Sequence, residues 1–511
     1  MMLTKNYGGK MKRIIFIAIF LLPIFLSAQW SDNPNQNTII SNMAGEQNLP
    51  KIAVCPNENY YISWFSNESG NYNLRLQLLD EDGNYLFDSE GLLVSDNEQM
   101  SWLTDYDLKA DSNNNAIITF QDIRTGSNNV FVYKISQDGE FIWGEEGLQL
   151  SNNEDFEASP QLTITNNDNA IAAWIREGSE YLKIMIQKIN AAGNLVWSNP
   201  LILESDDDEN YNHPRICSSG PDNFILIWFK ETGPYWQPDK HIYAQKFDSD
   251  GNSLWENDIP ITTAGGIPIY IEPIIIDNND NGVYVSWADD REIDNILHTY
   301  VQNIDSNGNI LMDENGTRVS INEETFNVGG SITLFDDELY VFWQEKNSNQ
   351  SQSGIYGQKL SPEGERLWND TGIAFEELST SGANSVITRN SNDGVTIFYF
   401  DYPFGNYLDN RLQAAKINAE GNFSWNEEKI SLSVVQSEKL HLAVSDYSSY
   451  QWVSVWEDKR NSSTDIFAQH INKHGELGEP LPVTLTEFFA EFSNGIVDIY
   501  WTTQSETNNA G

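Results

Sequence analysis

Residues 242–262 read IYAQKFDSDGNSLWENDIPIT. The run from Ile242 to Phe247 alternates, with Tyr243, Gln245 and Phe247 on one side, as a strand does. Asp248-Ser249-Asp250-Gly251-Asn252 supplies residues that tolerate positive φ in a hairpin turn, and a second strand carrying Trp255 follows. Variants of this strand–turn–strand unit recur eight times between Leu74 and Glu479.

The repeat is easiest to count on its turn glycine: Gly83, Gly139, Gly193, Gly251, Gly308, Gly364, Gly421 and Gly475. Successive gaps are 56, 54, 58, 57, 56, 57 and 54 residues. Upstream of each glycine stands a strand-end aromatic: Trp64, Phe120, Trp174, Trp228, Trp287, Trp343, Tyr399 and Trp456. Four residues after it comes a large side chain: Phe87, Trp143, Trp197, Trp255, Met312, Trp368 and Trp425. A fixed period of this length marks propellers and solenoids.

Each unit holds four strand-like runs. In the fourth unit they are 215–217, 224–228, 242–247 and 253–261. The second run is almost continuously apolar, so both of its faces are expected to be buried. No unit sustains a 3.6-residue period. Four antiparallel strands packed between two neighbours describe a propeller blade. The expected fold is all-β: an eight-bladed β-propeller over 29–479. The eighth unit lacks its outer strand, and residues 30–41 resemble the outer strand Trp197-Ser198-Asn199-Pro200-Leu201-Ile202-Leu203. The N-terminal segment is therefore expected to pair with 466–471, closing the ring by an N-terminal strand and leaving no open edge.

Residues 1–28 read as a signal peptide. Lys10, Lys12 and Arg13 form a basic start, 14–25 an apolar core too short to span a bilayer, and Leu26-Ser27-Ala28 a small-residue cleavage site. The mature chain is expected to be secreted, extracellular or on the outer cell surface. Removing 1–28 takes away four of the 29 basic residues and none of the 75 acidic ones, so the net charge moves from −46 to −50. Such a surface repels nucleic acid and anionic membranes. It favours solubility and, at most, loosely bound calcium; no cofactor is expected. Cys55 and Cys217 fall in distant units and are expected to be buried free thiols.

Two resemblances add to this. The blades resemble secreted Bacteroidota propeller repeats carrying W-x-D-x-R followed by I-Y-A-Q. The matching residues are Trp287-Ala288-Asp289-Asp290-Arg291, Trp456-Glu457-Asp458-Lys459-Arg460, Phe120-Gln121-Asp122-Ile123-Arg124, Ile242-Tyr243-Ala244-Gln245 and Ile466-Phe467-Ala468-Gln469. That resemblance implies fold and compartment and no activity. Residues 480–511 resemble the opening of the fibronectin-III-like module of proteins exported by type IX secretion, on Leu481-Pro482-Val483, Leu485-Thr486, the alternating 497–501 and Ser505-Glu506-Thr507-Asn508-Asn509. They read as a truncated module, an incomplete β-sandwich.

Candidate chemistry is sparse. Asp289 and Arg291, like Asp458 and Arg460, read either as ligands for a carboxylate or sugar at the ring mouth or as pins for the loop after the second strand. The glutamine column Gln77, Gln187, Gln245, Gln302, Gln358 and Gln469 reads as a repeated structural hydrogen bond. Asp277-Asn278-Asn279-Asp280-Asn281-Gly282 begins like a calcium loop, but Ala288 stands where the bidentate Glu belongs, so it reads as a turn. No hydrolase elbow, zinc-protease helix, dinucleotide or phosphate loop is present. Two second-to-third-strand loops break the pattern, one with Tyr235 and Trp236, the other with Tyr402, Phe404 and Tyr407. Exposed aromatics beside amides and carboxylates suit sugar rings. The sequence thus favours a non-catalytic binding module with a glycan or protein as partner. The alternatives are a polysaccharide hydrolase or lyase and a structural spacer or adhesin segment. A convergence of carboxylates with an Arg or His at the channel mouth would favour the enzyme.

Overall fold

The computed structural model describes residues 30–478, apart from 69, 100–104, 179–180, 235, 294, 404 and 407, together with the backbone of two later strands. Eight four-stranded antiparallel sheets follow one another in chain order, and the described residues contain no helix. Their inner strands are Gln47–Val54, Asp107–Ala110, Phe156–Ile164, Asn210–Ser219, Ile274–Asp277, Thr325–Phe335, Ala383–Ser391 and Lys439–Val444. Each touches the next, and the last touches the first, so they ring a central channel. This is an eight-bladed β-propeller.

Blade four shows why this sequence builds a blade. In its second strand, Asn223–Thr232, Phe224, Leu226 and Trp228 pack on blade three, while Ile225, Ile227 and Phe229 pack on blade five. Period-two alternation thus buries both faces, at about 1.5–3 kcal/mol per large side chain. In the third-strand turn, Asp248 Oδ1 accepts from the Asp250 and Asn252 amides at 2.9 and 2.8 Å, and Gly251 takes φ 85°.

The aromatic after the turn explains the period. Trp143, Trp255, Trp368 and Trp425 each donate their indole N–H to a turn carbonyl of the following blade (Ala191, Ser306, Ala419 and Lys473) at 2.9–3.4 Å. The turn glycine lets that ring approach. A Cβ on Gly475 would lie 2.8 Å from the Trp425 ring, and one on Gly193 2.6 Å from Trp143. In these four blades one residue pair therefore fastens each blade to the next.

The ring closes as the repeat requires. Thr38–Ser41 is the outer strand of blade eight, with Thr38 opposite Ala468 and Ile39 opposite Phe467. Trp30 donates to Glu81 O of blade one at 2.8 Å, in the place the other tryptophans occupy. The glutamine column confirms the register. Gln77 and Gln302 donate to Asp88 O and Asp313 O at 2.8 Å, and Gln469 makes the same bond to Ser31 O at 2.6 Å, across the closure. Val483–Ser493 and Ile496–Glu506 pair antiparallel. The signal-peptide segment and the side chains on which the fibronectin-III-like reading rests lie outside the described residues.

Candidate active site in the central channel

The inner strands carry a bulge at one register position. A non-glycine residue is held left-handed there in five blades: Leu49, Ser159, His213, Ser385 and His441, with φ between 46° and 55°. Gly329 occupies the position in blade six, at φ 73°. A bulge re-aims the side chains around it. Blades two and five lack it, their inner strands being only four residues long, and there the long incoming connections place Asp105 and Glu272 instead. Two residues further on, the equivalent column reads Lys51, Asp107, Gln161, Arg215, Ile274, Ser331, Ile387 and Ala443. Blades one to four are thus polar at this level, three of those residues being charged, and blades five to eight mostly apolar.

The polar sector is tied together. Lys51 Nζ lies 2.7 Å from Asp105 Oδ1, and Gln161 Nε2 donates to Asp105 Oδ2 at 3.0 Å. Arg215 pairs with Glu272, and His213 Nδ1 lies 3.5 Å from the other Glu272 oxygen. Asp107 accepts from the Leu162 amide at 2.9 Å and faces Lys109 at 3.1 Å. Burial raises Asp105, but Lys51 and Arg215 outweigh it and hold the carboxyl below its ordinary value. Burial, then the Lys240 charge, push the His213 imidazole down to about 4, against Glu231 and Asp105. Near neutral pH this sector therefore sets a neutral His213 imidazole beside the Arg215 guanidinium and an ionised Asp105. Toward the other end of the channel, a cavity of about 540 Å³ lies between the strand ends, with Lys109, Arg389 and Asp446 among its walls.

His441, at the bulge of blade eight, is bound differently. Its Nδ1 lies 2.7 Å from Glu457 Oε1, which also accepts the Leu49 amide at 2.7 Å, so it braces the seam between blades eight and one.

On the same side of the ring as the second-to-third-strand loops, an open cleft of about 900 Å³ lies among the loops of blades four to six. The connection 263–273 forms one wall, and two residues beyond Tyr270 it delivers Glu272 to the channel.

The residues singled out in the sequence separate. Asp289 is fully buried; it accepts the Trp287 indole N–H at 2.8 Å and takes a two-toothed grip from Arg291, at 2.8 Å from Nε and 2.6 Å from the terminal nitrogen. That guanidinium lies 3.5 Å above the Tyr300 ring and donates to Asn315 O. Asp458 with Arg460, and Asp122 with Arg124, repeat the arrangement over Phe467 and Phe131. These pairs tie down the loop after the second strand, and two of them also reach the preceding blade, Arg124 at Ser95 and Asp458 at Ser437. Tyr402 bonds Ser353 of blade six through its hydroxyl, filling a gap between blades. Trp236 is 66% exposed, in the loop whose Pro234 and Gln237 line the cleft. Tyr235, Phe404 and Tyr407 lie outside the described residues. In the calcium-like segment, Asn278 Oδ1 caps its own turn by accepting the Asp280 and Gly282 amides. Cys55 and Cys217 are free thiols; Cys55 is buried and Cys217 partly so.

Lys51, Asp105, His213, Arg215 and Glu272 were not legible as a site. A signal existed in Leu49-Pro50-Lys51, Ser159-Pro160-Gln161 and His213-Pro214-Arg215, a proline-marked bulge followed by a polar residue at one repeat position.

No family model and no curated protein sequence matches the chain. Among solved structures, it is similar to an ulvan lyase of polysaccharide lyase family PL25 bound to -[GlcA(1-4)Rha3S]-, at 9% identity and TM-score 0.47, over 89% of this chain and 98% of that one. It is also similar to the GH93 α-L-arabinofuranosidase of Fusarium graminearum in complex with arabinobiose, at 9% identity and TM-score 0.35, over 64% and 98%. A protein of unknown function from Dyadobacter fermentans matches at 12% identity and TM-score 0.37, over 62% and 94%. Identities this low speak to fold alone. No helix among the described residues is long and apolar enough to cross a membrane.

Proposed function

We propose that the chain is an extracellular polysaccharide lyase that cleaves beside a uronic acid seated in the channel among Lys51, His213, Arg215 and Glu272. The observation that carries this is a neutral imidazole next to a guanidinium in a sector that bulged inner strands aim inward. Arg215 and Lys51 neutralise the substrate carboxylate, which acidifies the proton on the adjacent ring carbon. His213 takes that proton. The electron pair forms the C4–C5 double bond, the C4–O bond breaks, and the imidazolium returns the proton to the departing glycosidic oxygen.

Hydrolysis fits less well. A glycosidase pair needs one carboxyl kept protonated, whereas Asp105 is held ionised by Lys51 and Arg215, and Glu272 is paired with Arg215. The non-catalytic reading keeps exposed Trp236 in its favour, Tyr402 being engaged between blades, but leaves the grouping of His213, Arg215 and Glu272 without a task. The export reading of 1–28 supports an extracellular place of action. The test is incubation with polyuronates, following the near-ultraviolet absorbance of the conjugated C4–C5 product and new reducing ends together. Both signals are expected, and both vanish in His213→Gln and Arg215→Gln. Reducing ends without absorbance would make the chain a hydrolase, and binding with neither would make it a binding module.

A further inference from the structure

The cleft beside the channel contains a residue that folding alone does not explain. Ile293 is held left-handed at φ 58°, and 86% of its surface is in solvent. A β-branched side chain resists that conformation, at a cost of about 1–2 kcal/mol, and an exposed one recovers nothing by burial. Tyr270, 69% exposed, lines the same cleft, and Trp236 stands in the loop that supplies Pro234 and Gln237. The cleft volume of about 900 Å³ falls within the usual ligand range of about 300–1,000 Å³.

Its polar lining differs in sign from the channel. Asp239 and Asp290 contribute carboxylates, and Asn295, Gln237 and Gln350 amides, against the lone ammonium of Lys346 among the described lining residues. An anionic sugar is repelled here, whereas a neutral one offers apolar ring faces to Tyr270 and Ile293 and hydroxyls to the amides and carboxylates. Tyr270 and Glu272 are two residues apart, so cleft and channel are separated by only about 7 Å of extended chain.

Building on the uronate reading of the channel, we infer that this cleft binds neutral sugar units of the same polymer, so that the substrate is a heteropolysaccharide in which neutral residues flank the uronate at the cleavage point. The anionic ring sits against Arg215 and Lys51, and the neutral neighbours lie on Tyr270 and Ile293. The cleft supplies length and sequence selectivity and the channel supplies chemistry.

Calorimetric titration with neutral hexasaccharides of glucose, xylose and rhamnose, and with a galacturonate hexasaccharide, tests this on the full chain. At least one neutral hexasaccharide is expected to bind wild type and His213→Gln alike, and to bind Tyr270→Ala and Ile293→Asn roughly tenfold more weakly, the scale of one side-chain contact. Ile293→Asn is expected to melt no lower than wild type, because asparagine tolerates the left-handed backbone. Unchanged binding in both cleft variants, or no neutral binding while polyuronate is still cleaved, overturns the cleft and leaves the channel reading intact. Neutral binding without cleavage of any uronate polymer keeps the cleft as a neutral-glycan site and removes the channel reading on which the heteropolymer rests.

Discussion

Trp30→Ala tests whether the N-terminal strand closes the ring energetically as well as topologically. Trp30 is almost fully buried and stacks on His470 at 5.4 Å between ring centres, 10° from parallel. Its indole N–H donates to Glu81 O, but that carbonyl also accepts Gln451 Nε2 at 2.7 Å, so truncation orphans no acceptor. The cost is then the transfer and cavity terms of a buried tryptophan, about 3–5 kcal/mol. The loss is local to the seam between blades eight and one. Amides of Thr38–Ser41 and of Asp465–Asn472 should therefore lose exchange protection before those of blades three to five. Urea unfolding followed by tryptophan fluorescence gives the magnitude, and amide exchange gives the place. Trp236→Ala is the control: two-thirds exposed, it should shift stability by no more than about 0.5 kcal/mol. A Trp30→Ala loss under about 1 kcal/mol, or an equal rise in exchange around all eight blades, would refute a closure that depends on this residue.

Burial pushes His470 from 6.5 down to about 3, so between those values the unfolded chain binds a proton that the folded chain refuses. Stability therefore falls as pH drops through that window, by up to roughly 4 kcal/mol; the difference in urea midpoint between pH 7 and pH 4 should shrink in His470→Gln, and an undiminished difference would place the acid sensitivity elsewhere. His213 stays neutral down to about pH 4, so kcat/KM for polyuronate should hold its value through pH 5; an acid limb near 6.5 would mean a base with an ordinary imidazole pKa. Asp289→Asn leaves the half-buried Arg291 guanidinium without its carboxylate and should cost about 3 kcal/mol in unfolding free energy while KM for the polymer is unchanged; a KM rise without loss of stability would return Asp289 to the ligand site.

The parts of this fold that could be read from sequence are those where every blade must solve the same problem. Gly83, Gly251 and Gly475 recur because each must admit a ring or aliphatic side chain of the preceding blade, and Gln77, Gln245 and Gln469 because each ties the third strand to the segment leading into the outer strand, which for Gln469 is the N-terminal segment. Even the closure was visible, since Trp30 had to satisfy the same geometry as Trp425. The channel followed the opposite logic. At one register position stand Lys51, Asp107, Gln161 and Arg215, all different, and only the fold shows that they face one another. Asp289 and Arg291 stood out because they recur, and recurrence is the mark of a shared structural task. Tyr270 and Ile293 went unnoticed because they lie on blade-five connections, where the meaning of an exposed apolar residue depends on the wall opposite.

The bulge ring separates scaffold from chemistry. Leu49, Ser159, His213, Ser385 and His441 all bear the same left-handed strain, at about 1–3 kcal/mol each. Blade six meets the position with Gly329, which avoids it. The bulge itself is therefore a property of the fold, and the residue standing on it is chosen for another reason. For His441 that reason is visible in Glu457, which ties the imidazole to the Leu49 amide across the seam. His213 packs edge-on against Phe229 at 5.6 Å between ring centres, and its acidic partner, Glu272, comes from the connection that also walls the cleft and is already engaged by Arg215. Glycine at position 213 would leave the bulge in place and remove strain, so a histidine there is better accounted for by what it faces in the channel than by what it does for the strand.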